Sequence, residues 1–287
     1  MGNDLIGNSR VRREEQRLFI NRSEIHGIQA INANWDNNLT VLKYLGARCA
    51  QIIPGGAGQS NFTISTFVID YDPFLNLTGN SGINGYIIRS KTDTTNNYGF
   101  TSGYLTSYRS KCSIGEIPQI EAGFTVYGRA GRILSTDAPE VAGDLASFAT
   151  YDSNFYPNIA GPGSILLNLG EFSGNRLQSY DFSFNIQRQP QYILGQRMPN
   201  RVEINYPIEL NFSFVFEADS YIPRRMFDFP CSPQVQPIEI SYNNYVSGSR
   251  IVTHRFADCF LSSEPYVMNS DGNLTVTANY KTYLMRE

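Results

Sequence analysis

Two carboxylates two residues apart are the arrangement in this chain with the most capacity for chemistry. Asp70-Tyr71-Asp72 sets two acids on one face of a strand, where such a pair can hold a divalent ion or divide acid and base work. A second acidic pair, Glu217 and Asp219, stands at a corresponding place later in the chain. Acidity that recurs at a strand end, in residue types that are mostly exposed, points to a solvated or inter-subunit rim and not to a catalytic dyad. His26 and His254 are the two histidines, at unrelated positions, and each reads as a surface or satisfied strand residue. Gly55-Gly56-Ala57-Gly58-Gln59-Ser60 has the glycines of a phosphate loop but no Lys-Ser or Lys-Thr ending, so a turn between strands explains it. No GxSxG or HExxH sequence is present. Cys49, Cys112, Cys231 and Cys259 lack CxxC spacing and a histidine in ligand register, so free thiols are expected, not zinc. These residues give no catalytic, cofactor-binding or metal-binding set, and the expectation is a protein that is not an enzyme.

Charge offers little to nucleic acid. Arg10, Arg12 and Arg13 are followed at once by Glu14 and Glu15, and Arg224-Arg225 has no interleaved aromatics. A contact with acidic groups of a neighbouring subunit suits them better. The formal charge of −3 disfavours net attraction to DNA. No apolar run reaches the ~18 residues of a membrane helix, and the first residues lack the apolar centre of a signal peptide, so no membrane partner is expected.

The elements that position these residues read as strands. Aromatics make up 13% of the chain, nearly all Tyr and Phe, and the charged residues that favour helices only 17%. Residues 61–70, 180–186 and 274–281 largely alternate apolar with polar, as half-buried strands do. Gly and Asn clusters such as 79–82, and Asp271-Gly272, supply turns between them. A short helix is possible over 138–148, with Pro139 in its first turn.

Self-similarity at a period of roughly 150 residues organises the whole. Tyr44-Leu45-Gly46-Ala47-Arg48 is answered by Ile193-Leu194-Gly195-Gln196-Arg197, and the run from Phe67 by that from Phe214. Tyr104-Leu105-Thr106-Ser107 is answered by Phe260-Leu261-Ser262-Ser263, and the run from Phe124 by that from Leu274. Four matches in the same order predict a duplication. Residues 1–18 form an N-terminal arm, 19–134 the first copy, 135–175 a connection expected to pack on one of the copies, and 176–287 the second copy.

The stretch 103–119 (GYLTSYRSKCSIGEIPQ), with 121–126 (EAGFTV), resembles the tail tube proteins of tailed bacteriophages and related tail ring proteins. So do 177–184 (LQSYDFSF), Arg188-Gln189-Pro190, Tyr192-Ile193-Leu194-Gly195 and Tyr206-Pro207. The resemblance covers most of 19–287. It implies two tandem β-sandwich or half-barrel domains whose strands join those of neighbours around a lumen. Single-domain relatives form six-membered rings, so a duplicated chain would form the same ring as a homotrimer. Rings would stack through a long hairpin or arm, contact other tail proteins, and let DNA pass without specific binding. The place implied is the virion tail, assembled in the host cytoplasm. Within the same class stands a distal tail, baseplate hub or terminator ring; from another class, a receptor- or glycan-binding protein of the tail tip. A tail-associated hydrolase comes last, supported only by paired carboxylates.

Overall fold

A computed structural model describes residues 17–34 (except 22), 39–45 (except 44), 51–54, 58–88 (except 70), 98–132, 160–169, 177–217 (except 197), 235–267 and 275–286. Among them the chain is mainly β, as the alternation predicts, with no α-helix and one turn of 3-10 helix at Leu75–Leu77. The first half contains β1 (Arg17–Ile20), β2 (Ser23–Ile25), β3 (Ile28–Asn34), β4 (Leu39–Leu42), β5 (Gln51–Pro54) and β6 (Ser60–Phe67). It continues with β7 (Ile83–Ile88), β8 (Tyr98–Ser113), β9 (Gln119–Val126) and β10 (Ala130–Arg132). The second half contains β11 (Ala160–Asn168), β12 (Leu177–Asn185), β13 (Arg188–Gln191), β14 (Arg201–Ile204) and β15 (Ile208–Glu217). It ends with β16 (Val235–Asn244), β17 (Arg250–Ser263), β18 (Tyr266–Val267) and β19 (Thr275–Leu284). The possible helix at 138–148 and the Asp271-Gly272 turn lie outside the described residues.

Period-two sequence makes these strands. In β15, Ile208, Leu210, Phe212, Phe214 and Phe216 are buried while the residues between them are partly exposed. β6, β12 and β19 follow the same rule. Fifteen strands, all paired antiparallel, form one sheet; β4–β5 and β13–β14 form separate hairpins.

Strand order is the same in both halves. The first ladder runs β3-β6-β9-β8-β7-β1 and the second β12-β15-β19-β17-β16-β11. In chain order the six strands of each half correspond one to one. The β4–β5 hairpin intervenes between β3 and β6, and β13–β14 between β12 and β15. Registers correspond too. β8 bulges between Leu105 and Ser107 opposite Phe124 and Gly123, and β17 bulges between Leu261 and Ser263 opposite Tyr280 and Asn279. Before each bulge a non-glycine residue has positive φ, Ser102 (55°) in β8 and Asp258 (51°) in β17.

From the bulge outward, Phe124 pairs with Phe62 and Phe62 with Ala33, while Tyr280 pairs with Phe212 and Phe212 with Phe182. Phe62 therefore corresponds to Phe212, and the sequence match of Phe67 to Phe214 is out of step. Phe67 is partly exposed and Phe214 fully buried, so they cannot hold equivalent places. Ala160–Asn168, assigned from sequence to the connection, is a strand paired with β16, with a register irregularity absorbing the stretch between Ala160 and Ile165. Leu167 and Leu169 are buried. Arg17 and Leu18, assigned to the arm, belong to β1.

Phenylalanines dominate the core. Phe182 stacks on Phe212 at 4.8 Å and meets Phe256 at 4.7 Å and Tyr108 at 5.5 Å, so strands of both halves share one cluster. In the first half Phe100 is wedged between Gly85 and Gly103, where an added Cβ would come within 2.4 and 2.3 Å of its ring. Replacing Phe182 with Ala should lower stability by about 3–5 kcal/mol, read as a fall in the denaturation midpoint. A loss under ~1 kcal/mol would mean that the shared aromatic cluster does not join the halves.

Candidate functional site

The described residues offer three candidate features: a polar sheet face, a buried polar cluster, and two separate hairpins, β4–β5 and β13–β14, the first of them following β3, which among the described residues pairs on one side only. Alternation that buries Tyr108, Phe182 and Phe212 on one side of the sheet sends Arg109, Asp181 and Asn211 to the other. There a groove of about 770 Å³ crosses β6, β9, β8, β12, β15, β19 and β17. Its cations face carboxylates. Arg109 Nε donates to both carboxylate oxygens of Asp181 (3.1 and 3.0 Å), and its Nη2 donates to Oδ2 as well. Lys281 Nζ donates to Glu209 Oε1 at 2.7 Å, which lowers the Glu209 pKa and raises that of Lys281. The remaining lining is mostly Ser, Thr and Asn.

Asp72 departs from the expected acidic rim. Its side chain is 2% exposed. Oδ1 accepts the N–H groups of Phe74 (2.9 Å) and Leu75 (3.3 Å), capping the 3-10 turn, and Oδ2 accepts the Tyr108 hydroxyl at 2.5 Å. Asp70 and Asp219 lie outside the described residues; Glu217 is at the end of β15, partly exposed, and accepts from Gln178 at 3.2 Å. His254, 4% exposed, brings Nε2 to 3.4 Å from Asp72 Oδ2 but out of hydrogen-bonding geometry, so this nitrogen is buried without a hydrogen-bond partner. Burial pushes the His254 pKa below the usual histidine value, and Asp72 offsets part of that shift. Beside them Ser110 Oγ lies 3.2 Å from Tyr180 OH and 3.0 Å from Tyr242 OH, and Tyr180 OH donates to Tyr242 OH at 3.1 Å. Burial is the leading cause that raises the pKa of Tyr108, Tyr180 and Tyr242.

Cys112 and Cys259 are free and buried, with pKa values pushed by burial to about 11 and about 12. Such thiols are unreactive near neutrality. Cys49 and Cys231, the glycines of 55–56 and the arginine groups at 10–13 and 224–225 lie outside the described residues. Of the histidines, His26 is partly exposed beside Glu24. No described group of three or more His, Cys, Asp or Glu is arranged to hold a metal.

Sequence reading missed the tyrosine cluster, whose members come from β8, β12 and β16 and show no local spacing. It did single out the hairpin motifs without their meaning. Leu45 and Leu194, at corresponding places in the loops of β4–β5 and β13–β14, are fully exposed, and Gly195 takes φ +89°. Leu39, Val41 and Ile52 on one hairpin, and Tyr192, Ile193 and Met198 on the other, are exposed as well. The second hairpin is braced at its base by Arg188, which donates to the carbonyls of Leu105, Gly79 and Thr78 at 2.9–3.2 Å.

No protein-family model matches the chain, and no curated protein is significantly similar to it.

Asp72→Ala would leave a buried hydroxyl and two N–H groups without their acceptor, and should cost about 3 kcal/mol by chemical denaturation. For His254 the folded state disfavours the charged ring. Its contribution is therefore intact above the unfolded pKa near 6.5 and is lost as pH falls below that value. His254→Gln should flatten the decline of stability between about pH 6.5 and pH 5; an unchanged profile would remove His254 from the cluster's energetics.

Proposed function

We propose that this chain is a structural virion protein, the tail tube subunit of a phage-type particle, built as two tandem copies of one β domain. Three chains close a pseudo-hexameric ring, and rings stack around a lumen through which DNA passes. The observation that carries this reading is the way the halves are joined. β12, first strand of the second ladder, pairs with the outer edge of β8 from Ser107↔Asn185 to Ser113↔Ser179. β3, first strand of the first ladder, pairs with β6 alone among the described residues. A protein that kept to itself would gain from covering such an edge. Repeating the internal join between chains removes the open edge by closure, with a head-to-tail contact that ends as a ring.

Two further features fit. The polar face lines the inside of such a ring with hydroxyls, amides and mutually paired charges, so DNA releases few counterions on contact and slides. Each half also has exposed apolar residues on one hairpin, Leu45 and Leu194 among them, and six such hairpins per ring supply apolar contact for stacking and for neighbouring tail proteins.

Light scattering and negative-stain microscopy of the purified chain should give three-chain rings and longer stacks. A monomer at all accessible concentrations would overturn the reading. The double substitution Leu45→Asp and Leu194→Asp should leave rings of three chains but shorten or abolish stacks; tubes of unchanged length would remove the hairpin tips from stacking.

A further inference from the structure

The correspondence of registers specifies the contact between chains more closely than the reading above, on which it rests. We infer that β3 of one chain lies antiparallel against the outer edge of β17 and β18 of the next, in the register Asn34 opposite Pro265, Ala33 opposite Tyr266 and Asn32 opposite Val267. The partner is a second copy of this chain, and the contact is a repeat of the β8–β12 seam.

Each side of the contact is fixed separately. Ser110 and Lys111 of β8 pair with Ile120 and Gln119 of β9, and Tyr266 and Val267 pair with Val276 and Thr275 of β19. With Gly123 corresponding to Asn279, Ile120 corresponds to Val276, so β18 continues β17 as the counterpart of Ser110 and Lys111. On the other side, Ala33 holds the place of Phe182, since each pairs with the corresponding phenylalanine of its neighbour, Phe62 or Phe212. In the internal seam Ser110 is opposite Phe182 and Arg109 opposite Ser183. Carrying these pairs across gives the stated register.

Backbone polarity agrees with it. Along β12, Ile186 N–H donates to Thr106 O and Gln178 O accepts from Ile114 N–H, so even-numbered residues of β12 face β8. Their counterparts Ile31 and Ala33 face the open edge of β3. On the opposite side Thr277 N–H donates to Pro265 O, which turns the Pro265 backbone toward β19. The missing N–H of this proline is therefore lost to β19 and not to the outer edge, whose groups come from the residues on either side. Asn34 and Pro265 are exposed in the single chain. As a pair that does not exchange hydrogen bonds, like Arg109 and Ser183, they would hold their Cβ atoms within disulfide reach, about 4.5 Å apart.

The test is the double variant Asn34→Cys with Pro265→Cys, assembled and then oxidised. A disulfide between positions 34 and 265 of different chains, located by peptide mass spectrometry, is expected in most chains, with covalent three-chain species on a non-reducing gel. The shifted pair Asn32→Cys with Pro265→Cys should give only a trace. Rings that form without the 34–265 link, or that link equally through the shifted pair, overturn the inferred seam while leaving the ring reading intact. Absence of rings in the unmodified chain overturns both. As an independent measure, Ala33→Pro removes one outward donor and spares pairing with β6. It should keep the β circular dichroism spectrum of the parent and raise the concentration needed for ring formation at least tenfold; rings at the parent concentration would overturn the seam.

Discussion

A strand inside a sheet carries donors and acceptors along both edges, and leaving them unpaired away from water costs about as much as the hydrogen bonds themselves. β8 has sixteen residues of such edge, and most of the architecture follows from how they are filled. On one side it pairs with β10 and then β9, and on the other with β7 and then β12. No single partner strand follows it throughout. The left-handed Ser102 and the bulge after Leu105 fall where the partners change and rotate the strand between them. Because side chains alternate, the later half of β8 sends Tyr108, Ser110 and Cys112 into the core and Arg109 and Lys111 to the polar face. Core, seam and polar face are thus three consequences of one strand.

That strand also explains why polar groups occur deep in an aromatic core. Tyr108 and Ser110 enter a space bounded by β12, β16 and β17, and hydroxyls buried there need partners. Asp72 from the turn after β6, Tyr180 from β12 and Tyr242 from β16 provide them. The result ties the halves by directional contacts in addition to phenylalanine packing. Tyr180 and Tyr242 remain donors over the physiological range because burial opposes their ionisation.

What the sequence revealed, and what it concealed, follows from the same physics. Alternation in residues 180–186 exposes a strand with one apolar face, and the Leu-Thr-Ser and Leu-Ser-Ser runs stand out because each falls where its strand bulges. Leu105 and Leu261 stand at the bulges of β8 and β17 in the two ladders, whereas Leu45 and Leu194 lie in the loops of the separate hairpins. Inside a uniform period-two strand nothing marks position, so Phe67 was matched to Phe214 although the two face opposite ways. β11 was hidden because Gly161-Pro162-Gly163 reads as a turn, whereas the irregular pairing before Ile165 accommodates it. Asp72 was hidden because carboxylates are usually exposed, and its partner Tyr108 is remote in sequence and invisible to local spacing.

The internal and proposed external seams differ in strength in a way that orders folding before assembly. Across the internal seam Arg109 forks onto Asp181, and Tyr180, Phe182 and Phe184 pack into the shared core. At the corresponding external places stand Pro265 and Asn32 in place of the ion pair, and Ile31 and Ala33 in place of Tyr180 and Phe182. The external contact therefore keeps the backbone hydrogen bonds of the internal one but has neither its charge pair nor its buried aromatic area, each of which adds stability. With that difference the chain would close its own seam first, as an intramolecular contact, and the proposed pairing with neighbours would follow only at sufficient concentration. The amides of Gln29, Asn32 and Asn34 along the exposed strand keep that edge hydrated and poorly suited to indiscriminate pairing. In the proposed ring, weak side-chain contact at this edge would leave backbone register as the main source of specificity, and closure would add the energy of one last seam over any open chain.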